Sequence, residues 1–173
     1  MIAFHDILHS RRFIIPKNQR GYSWTITHVG DLIHDLEFAN LTDHSHYVGP
    51  IIVTEIPEKK IRDKNSHDIS AYVLEDGQQR LTTLVLMLSA TRKRLLEIGT
   101  RDAAGRAEDA LNYISYQLTH ETDDHELRLH NDNPDINAWY RHLVLDETGD
   151  NALPLLCHRS SSSWSWCVLG RDG

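Results

Sequence analysis

One stretch limits what this chain can become more than any other. A strand-like run from Ile69 to Glu75 breaks at Asp76-Gly77, and Gln78-Gln79-Arg80 leads at once into a segment carrying Leu81, Leu84, Val85, Leu86, Met87 and Leu88. A helix that is apolar almost all round has no side to give to water, so it must be covered on every side. The pattern therefore predicts a strand, a glycine turn and a central helix whose middle lies inside the domain, with Gly99 as its stop. Arg92, Lys93 and Arg94 near that stop suit the negative end of the helix dipole.

The chain is long enough to bury such a helix. Its 173 residues, 40% hydrophobic and 25% charged, fit one domain with a substantial core rather than a disulfide-stapled miniprotein or a disordered polymer. No apolar run reaches the ~20 residues of a membrane span, and Met1-Ile2-Ala3-Phe4-His5-Asp6 lacks a basic start followed by an apolar core. The expected compartment is the cytoplasm, with no membrane partner. The net charge of −7 is uneven: residues 1–100 balance 12 Lys and Arg against 12 Asp and Glu, whereas residues 101–173 carry 6 against 13. General affinity for bare duplex DNA, which rests on a basic surplus, is not expected of this chain alone. Cys157 and Cys167 form no common zinc spacing, and the pair His44 and His46 has no third ligand at a fixed distance.

Other elements follow from periodicity. Phe13-Ile14-Ile15-Pro16 reads as a short strand, and Thr25 or Thr27 caps a helix with Val29, Leu32, Ile33 and Leu36 on one face, ending near Asn40. A strand starts near Ile51, and the polar stretch Glu58 to Asp68 reads as a solvated hairpin loop. A second helix is expected from Ala103 to His120, a half-buried strand from His125 to His130, and a helix opened by Asn133-Pro134 that ends before Gly149. Residues 1–150 then form the domain and 151–173 a tail, which from Cys157 shifts to serines and tryptophans and is expected to be disordered.

Chemistry concentrates at the glycine turn. Helix starts expose unpaired N–H groups and the positive end of a dipole, so an anion such as phosphate is favoured there. Arg80 supplies a permanent forked donor, and Gln78 and Gln79 can orient a ligand or a water. Asp76 would repel phosphate, and its better role is to hold Mg²⁺ or to position Arg80. A purely structural reading stays open: Asp76 as a helix cap, with Arg80 paired to Glu75 or Asp76. A second cluster, Gln19-Arg20 with Tyr22 and Trp24, also follows a strand and can face the same cleft, its aromatics stacking on a base or covering the core.

The order Phe-x-Ile-Pro-x-x-Gln-Arg-x-Tyr-x-Trp at 13–24, Asp35, Tyr47-Val48-Gly49-Pro50-Ile51-Ile52, and Asp76-Gly77-Gln78-Gln79-Arg80-Leu81-Thr82-Thr83-Leu84 resembles the ParB/sulfiredoxin-like N-terminal domain of GmrSD-type restriction proteins over about residues 4–145. The resemblance implies an α+β domain, a small mixed sheet around a buried central helix with additional C-terminal helices. It also implies binding, and in some members hydrolysis, of a nucleoside triphosphate (GTP or ATP, with Mg²⁺), coupled to restriction of modified phage DNA. Its implied site comprises Gln19, Arg20, Gly77, Gln78, Gln79, Arg80 and Thr82 around the nucleotide, with Asp76, Gln79 and Arg80 as catalytic groups and Asp76 on the metal. A C-terminal HNH-type nuclease commonly completes such systems; no such cluster follows residue 145, so cutting is expected from a separate domain or subunit. Asn18 and Glu75 depart from the aromatic and apolar residues many relatives place there. Sulfiredoxin chemistry needs a cysteine at the turn, which is missing here. A reading from another class also remains: the same cleft as a non-catalytic sensor of DNA or of a modified base that switches a nuclease.

Overall fold

The computed structural model describes residues 4–121 and 124–145, and the expected tail at 151–173, with both cysteines, lies outside them. The chain runs α1 (Phe4–His9), β1 (Arg11–Ile15), α2 (Ile26–Leu41), β2 (Ile52–Arg62), β3 (Asp68–Asp76), α3 (Gln78–Ile98), α4 (Arg101–Ile114), β4 (Ser115–Gln117), β5 (His125–Leu127), β6 (Leu129–Asn131) and α5 (Pro134–Leu145). It is an α+β fold. Four strands form a mixed sheet in the order β2-β3-β1-β6, with β1 parallel to both β3 and β6 and β2 antiparallel to β3; β4 and β5 form a separate antiparallel pair. No helix among the described residues is long and apolar enough to cross a membrane.

The core joins Phe13 and Ile15 of β1, Leu74 of β3, Leu81 and Val85 of α3, Ile114 of α4 and Tyr140 and Val144 of α5. Its centre is the beginning of α3, not the middle. Gln78, Gln79, Leu81, Thr82, Thr83, Leu84 and Val85 are buried, whereas Leu86 to Ser89 are half-buried and Leu96 and Ile98 are exposed. The reason is topological: β3 is an inner strand, flanked by β2 and β1, and it hands the chain directly to α3, so the first two turns of the helix enter the core.

Local signals placed several ends correctly. Gly99 takes φ +69° and stops α3 as expected, whereas α4 starts at Arg101, ahead of the expected Ala103, because Thr100 caps it by accepting the Ala103 N–H at 3.2 Å. Asn133 Oδ1 accepts from Asp135 N at 3.1 Å, opening α5 with Pro134 in the first position. Thr25 stands at the N-cap of α2, with its N–H donating to His28 Nδ1 at 3.1 Å.

Three expectations are corrected. The polar stretch 58–68 is not all loop: β2 continues to Arg62 by pairing with β3, with a register shift between Ile56 and Lys60 that absorbs its irregular pattern. Only a tight tip remains, where the Asp63 carboxylate accepts the N–H groups of Asn65 and His67 at 2.9 and 2.8 Å. The helix expected to reach His120 ends at Ile114, because the spacing of Ile114, Tyr116 and Leu118 also fits a strand, and β4 takes residues 115–117. The single strand expected at 125–130 is two strands in two sheets. Arg128, 5% exposed, is the crossing point: its N–H donates to Ile114 O at 3.0 Å and its carbonyl accepts Phe13 N at 2.6 Å. Its Nε donates to Asn112 O at 3.0 Å and its guanidinium lies over the Tyr116 ring.

The burial contrast is measurable. Leu81→Ala, at a fully buried position, is expected to cost about 2–5 kcal/mol in urea unfolding. Leu41→Ala, at a residue 83% exposed, is expected to stay within about 0.5 kcal/mol of the parent chain. Similar losses for both would mean the core is not centred on the start of α3.

Candidate functional site

Gly77 makes the turn from β3 into α3 with φ +93°, a conformation that side-chain-bearing residues rarely adopt. A Cβ there would lie 3.1–3.2 Å from Ile51 and the Pro50 carbonyl, so space as well as backbone angle calls for glycine. Gly77 is also the N-cap residue, and no side chain caps the helix. Asp76 therefore does not cap α3; its carboxylate is 62% exposed and sits 3.4 Å from Arg80 Nη2. Glu75 faces elsewhere, accepting the Thr54 hydroxyl at 3.1 Å.

The two glutamines named with the arginines have specific partners. Gln79, 6% exposed, donates through Nε2 to Gly21 O at 3.1 Å and accepts Ser23 N at Oε1 at 2.7 Å. Gln19 Nε2 donates to Leu74 O at 2.8 Å and Glu75 O at 3.1 Å. Tyr22 OH and Thr83 Oγ1 are 2.9 Å apart; since Thr83 donates to Gln79 O at 2.8 Å, Tyr22 is the donor between them. The 16–24 segment is thus sewn to the end of β3 and the first turn of α3. Trp24 stacks on His28 with ring centres 6.0 Å apart, rather than on the core.

Arg80 holds the other side. Nη2 donates to Pro50 O at 2.6 Å and approaches Asp76, while Nη1 lies where a Cβ on Gly49 would come within 2.7 Å. Gly49 has φ +102°, so the Gly49-Pro50 turn is shaped to admit the guanidinium. Arg80 Nε is buried without a hydrogen-bond partner among the described residues, although the side chain as a whole is 25% exposed. Arg20 is exposed.

All the sequence-nominated residues therefore gather around one helix start, but in two layers. Gly77, Gln78, Gln79 and Thr82 are buried, with Pro50 and Ile51 against Gly77 and the 16–24 segment bonded to Gln79, so the amide-lined mouth expected to be open is covered. Asp76, Arg80 and Arg20 form the accessible edge. Sequence reasoning did not anticipate that the backbone of Gly21, Ser23 and Pro50 would be the groups these side chains hold. The Tyr-Val-Gly-Pro stretch was the available signal, since a glycine before proline beside a strand marks a shaped turn. His44 and His46 have separate partners, Thr42 O at 2.6 Å and Asp35 Oδ2 at 4.0 Å. No three His, Cys, Asp or Glu side chains converge on a metal position among the described residues. A cleft lined by Lys64, Arg92, Glu108 and His125 lies at the far end of α3 from Gly77.

None of the curated proteins compared matches the chain. The family model described as the GmrSD restriction endonuclease, N-terminal domain, matches residues 4–159, a span that takes in the 13–24 segment, the Gly49-Pro50 turn and the whole Asp76-to-Thr83 block. The chain that folds these three pieces around the start of α3 belongs to that family of restriction endonuclease N-terminal domains.

Proposed function

We propose that this domain is the nucleoside-triphosphate-binding, regulatory part of a modification-dependent phage-defence restriction system, working with a nuclease domain or subunit. The observation that carries the reading is Arg80 at the rim of the covered start of α3, its guanidinium reaching the surface beside the exposed Asp76 and its Nε without a hydrogen-bond partner among the described residues. With the amides of the first turn covered, the group left to meet negative oxygen is the guanidinium, a permanent forked donor set one turn into the positive end of the helix.

Phosphate enters along the Arg80–Asp76 edge, where it takes the place that Pro50 O holds on Arg80 Nη2. The guanidinium exchanges a neutral carbonyl for a charged oxygen, which makes a shorter and stronger bond. Arg20, on the exposed side of the 16–24 segment, closes the opposite wall. Gln19 and Gln79 act by holding that wall in place and do not themselves need to touch the phosphates. Asp76 suits Mg²⁺, which is usually bound by one or two carboxylates together with substrate phosphates rather than by a full protein cage. A bound Mg²⁺ would neutralise phosphate charge; the residues of this chain position the nucleotide, which is most of what phosphoryl transfer asks of a protein.

Two measurements test this. In calorimetry with GTP and with ATP in the presence of Mg²⁺, Arg80→Ala is expected to weaken binding at least tenfold, in line with about 1.5–3 kcal/mol for a hydrogen bond to a charged group. Equal binding by both proteins removes Arg80 from the site. Asp76→Asn is expected to abolish the gain in affinity that Mg²⁺ brings, while metal-free binding stays the same or tightens because a carboxylate no longer repels the phosphates. A preserved Mg²⁺ dependence places the metal elsewhere.

A further inference from the structure

The outward side of α2 combines two properties that a solvent face rarely shows together. Ile26 and Leu41 are each 83% exposed and Phe38 is 63% exposed, while Asp31, Asp35 and Glu37 are exposed on the same helix. At about 100° per residue, Asp31, Asp35 and Phe38 share one side and Ile26, Glu37 and Leu41 the adjoining one. Leu32 lies on the opposite side and is the one residue of α2 that is buried. Apolar side chains and carboxylates therefore interleave across the surface turned away from the domain.

Charge says what fits there. From Gly21 to Glu58 the chain has six Asp and Glu residues and no Lys or Arg. An apolar patch rimmed by a single sign of charge selects a partner with matching apolar contacts and the opposite charge, and like charge rejects a second copy of the same face. A nuclease carries the opposite charge, because gripping DNA means neutralising phosphates with Lys and Arg. We propose that the outward face of α2 docks on the Lys- and Arg-rich, DNA-facing surface of the nuclease that acts with this domain, its carboxylates standing where DNA phosphates would lie. The domain then holds the nuclease off DNA until the contact is released. This inference rests on the family membership and the α2 surface, and does not depend on nucleotide binding at Arg80.

The test is calorimetric titration of the full chain, without nucleotide, into the purified nuclease domain or subunit of the same restriction system. Binding is expected, weakened at least tenfold by Phe38→Ser and separately by Asp31→Lys, and displaced by short duplex DNA. Both positions are exposed, and an unchanged circular dichroism spectrum verifies that each variant is folded. Absence of binding, an affinity of either variant equal to that of the parent chain, or failure of DNA to compete overturns the proposal. So does self-association of the chain that Phe38→Ser abolishes, since that assigns the face to a second copy.

Discussion

The structure depends on burying the first turn of a helix, which is hard to do. Four N–H groups at a helix start have no partner within the helix, and burial removes the water that would otherwise serve them. Here no side chain caps α3, and Gln78 and Gln79 go inside with the turn. Around this turn the neighbouring backbone is tied down by side chains of the helix itself. Gln79 holds the segment that covers the turn, since one primary amide can donate to Gly21 O and accept from Ser23 N at once. An ionised glutamate could only accept, and a leucine would hold neither Gly21 O nor Ser23 N. Gln19 does the complementary work with two donors, taking the carbonyls of Leu74 and Glu75 at the end of β3.

The same start of α3 controls both roots of α2. The chain arrives at α2 through Gly21 and Ser23, held by Gln79, and leaves it through Gly49 and Pro50, held by Arg80. Between these anchors α2 is seated by Leu32 and the half-buried Val29 and Leu36, so its position is set largely from its ends. Whatever rearranges Arg80 is therefore felt at Pro50, and whatever rearranges Gln79 is felt at Ser23. Coupling of this kind needs no long chain of contacts, because consecutive residues of one helical turn hold the two ends.

What could be read from the residues follows the range of the forces involved. Gly77, Gly99 and Asn133 act within a few residues of themselves, and each was legible as a turn or cap. The length of β2 was not legible, because residues that look solvated are held by the ladder to β3 across a register shift. Nor was the change of sheet at Arg128, where a charged residue between two leucines is buried by Tyr116 and the Asn112 carbonyl, neither of them near it in sequence. The candidate site divides in the same way. Its membership was legible from the Gln-Arg pairs, but whether a glutamine meets a ligand or a backbone carbonyl depends on a fold that brings residue 19 to residue 75 and residue 23 to residue 79.

The periodicity of α2 is the most instructive disagreement. Val29, Leu32, Ile33 and Leu36 have the spacing of a core-facing stripe, yet only Leu32 is buried and Ile33 remains 39% exposed. A helical period predicts which residues share a side, and says nothing about whether the chain itself supplies what covers that side. In this chain the sheet and α3 bury their apolar faces against α1, α4 and α5, and α2 is left on the rim with more apolar surface than the domain consumes. Removing that surface from water is favourable for any partner whose charges complement Asp31, Asp35 and Glu37. The acidity of the helix then decides which surfaces can approach it, and the apolar residues decide how long they stay.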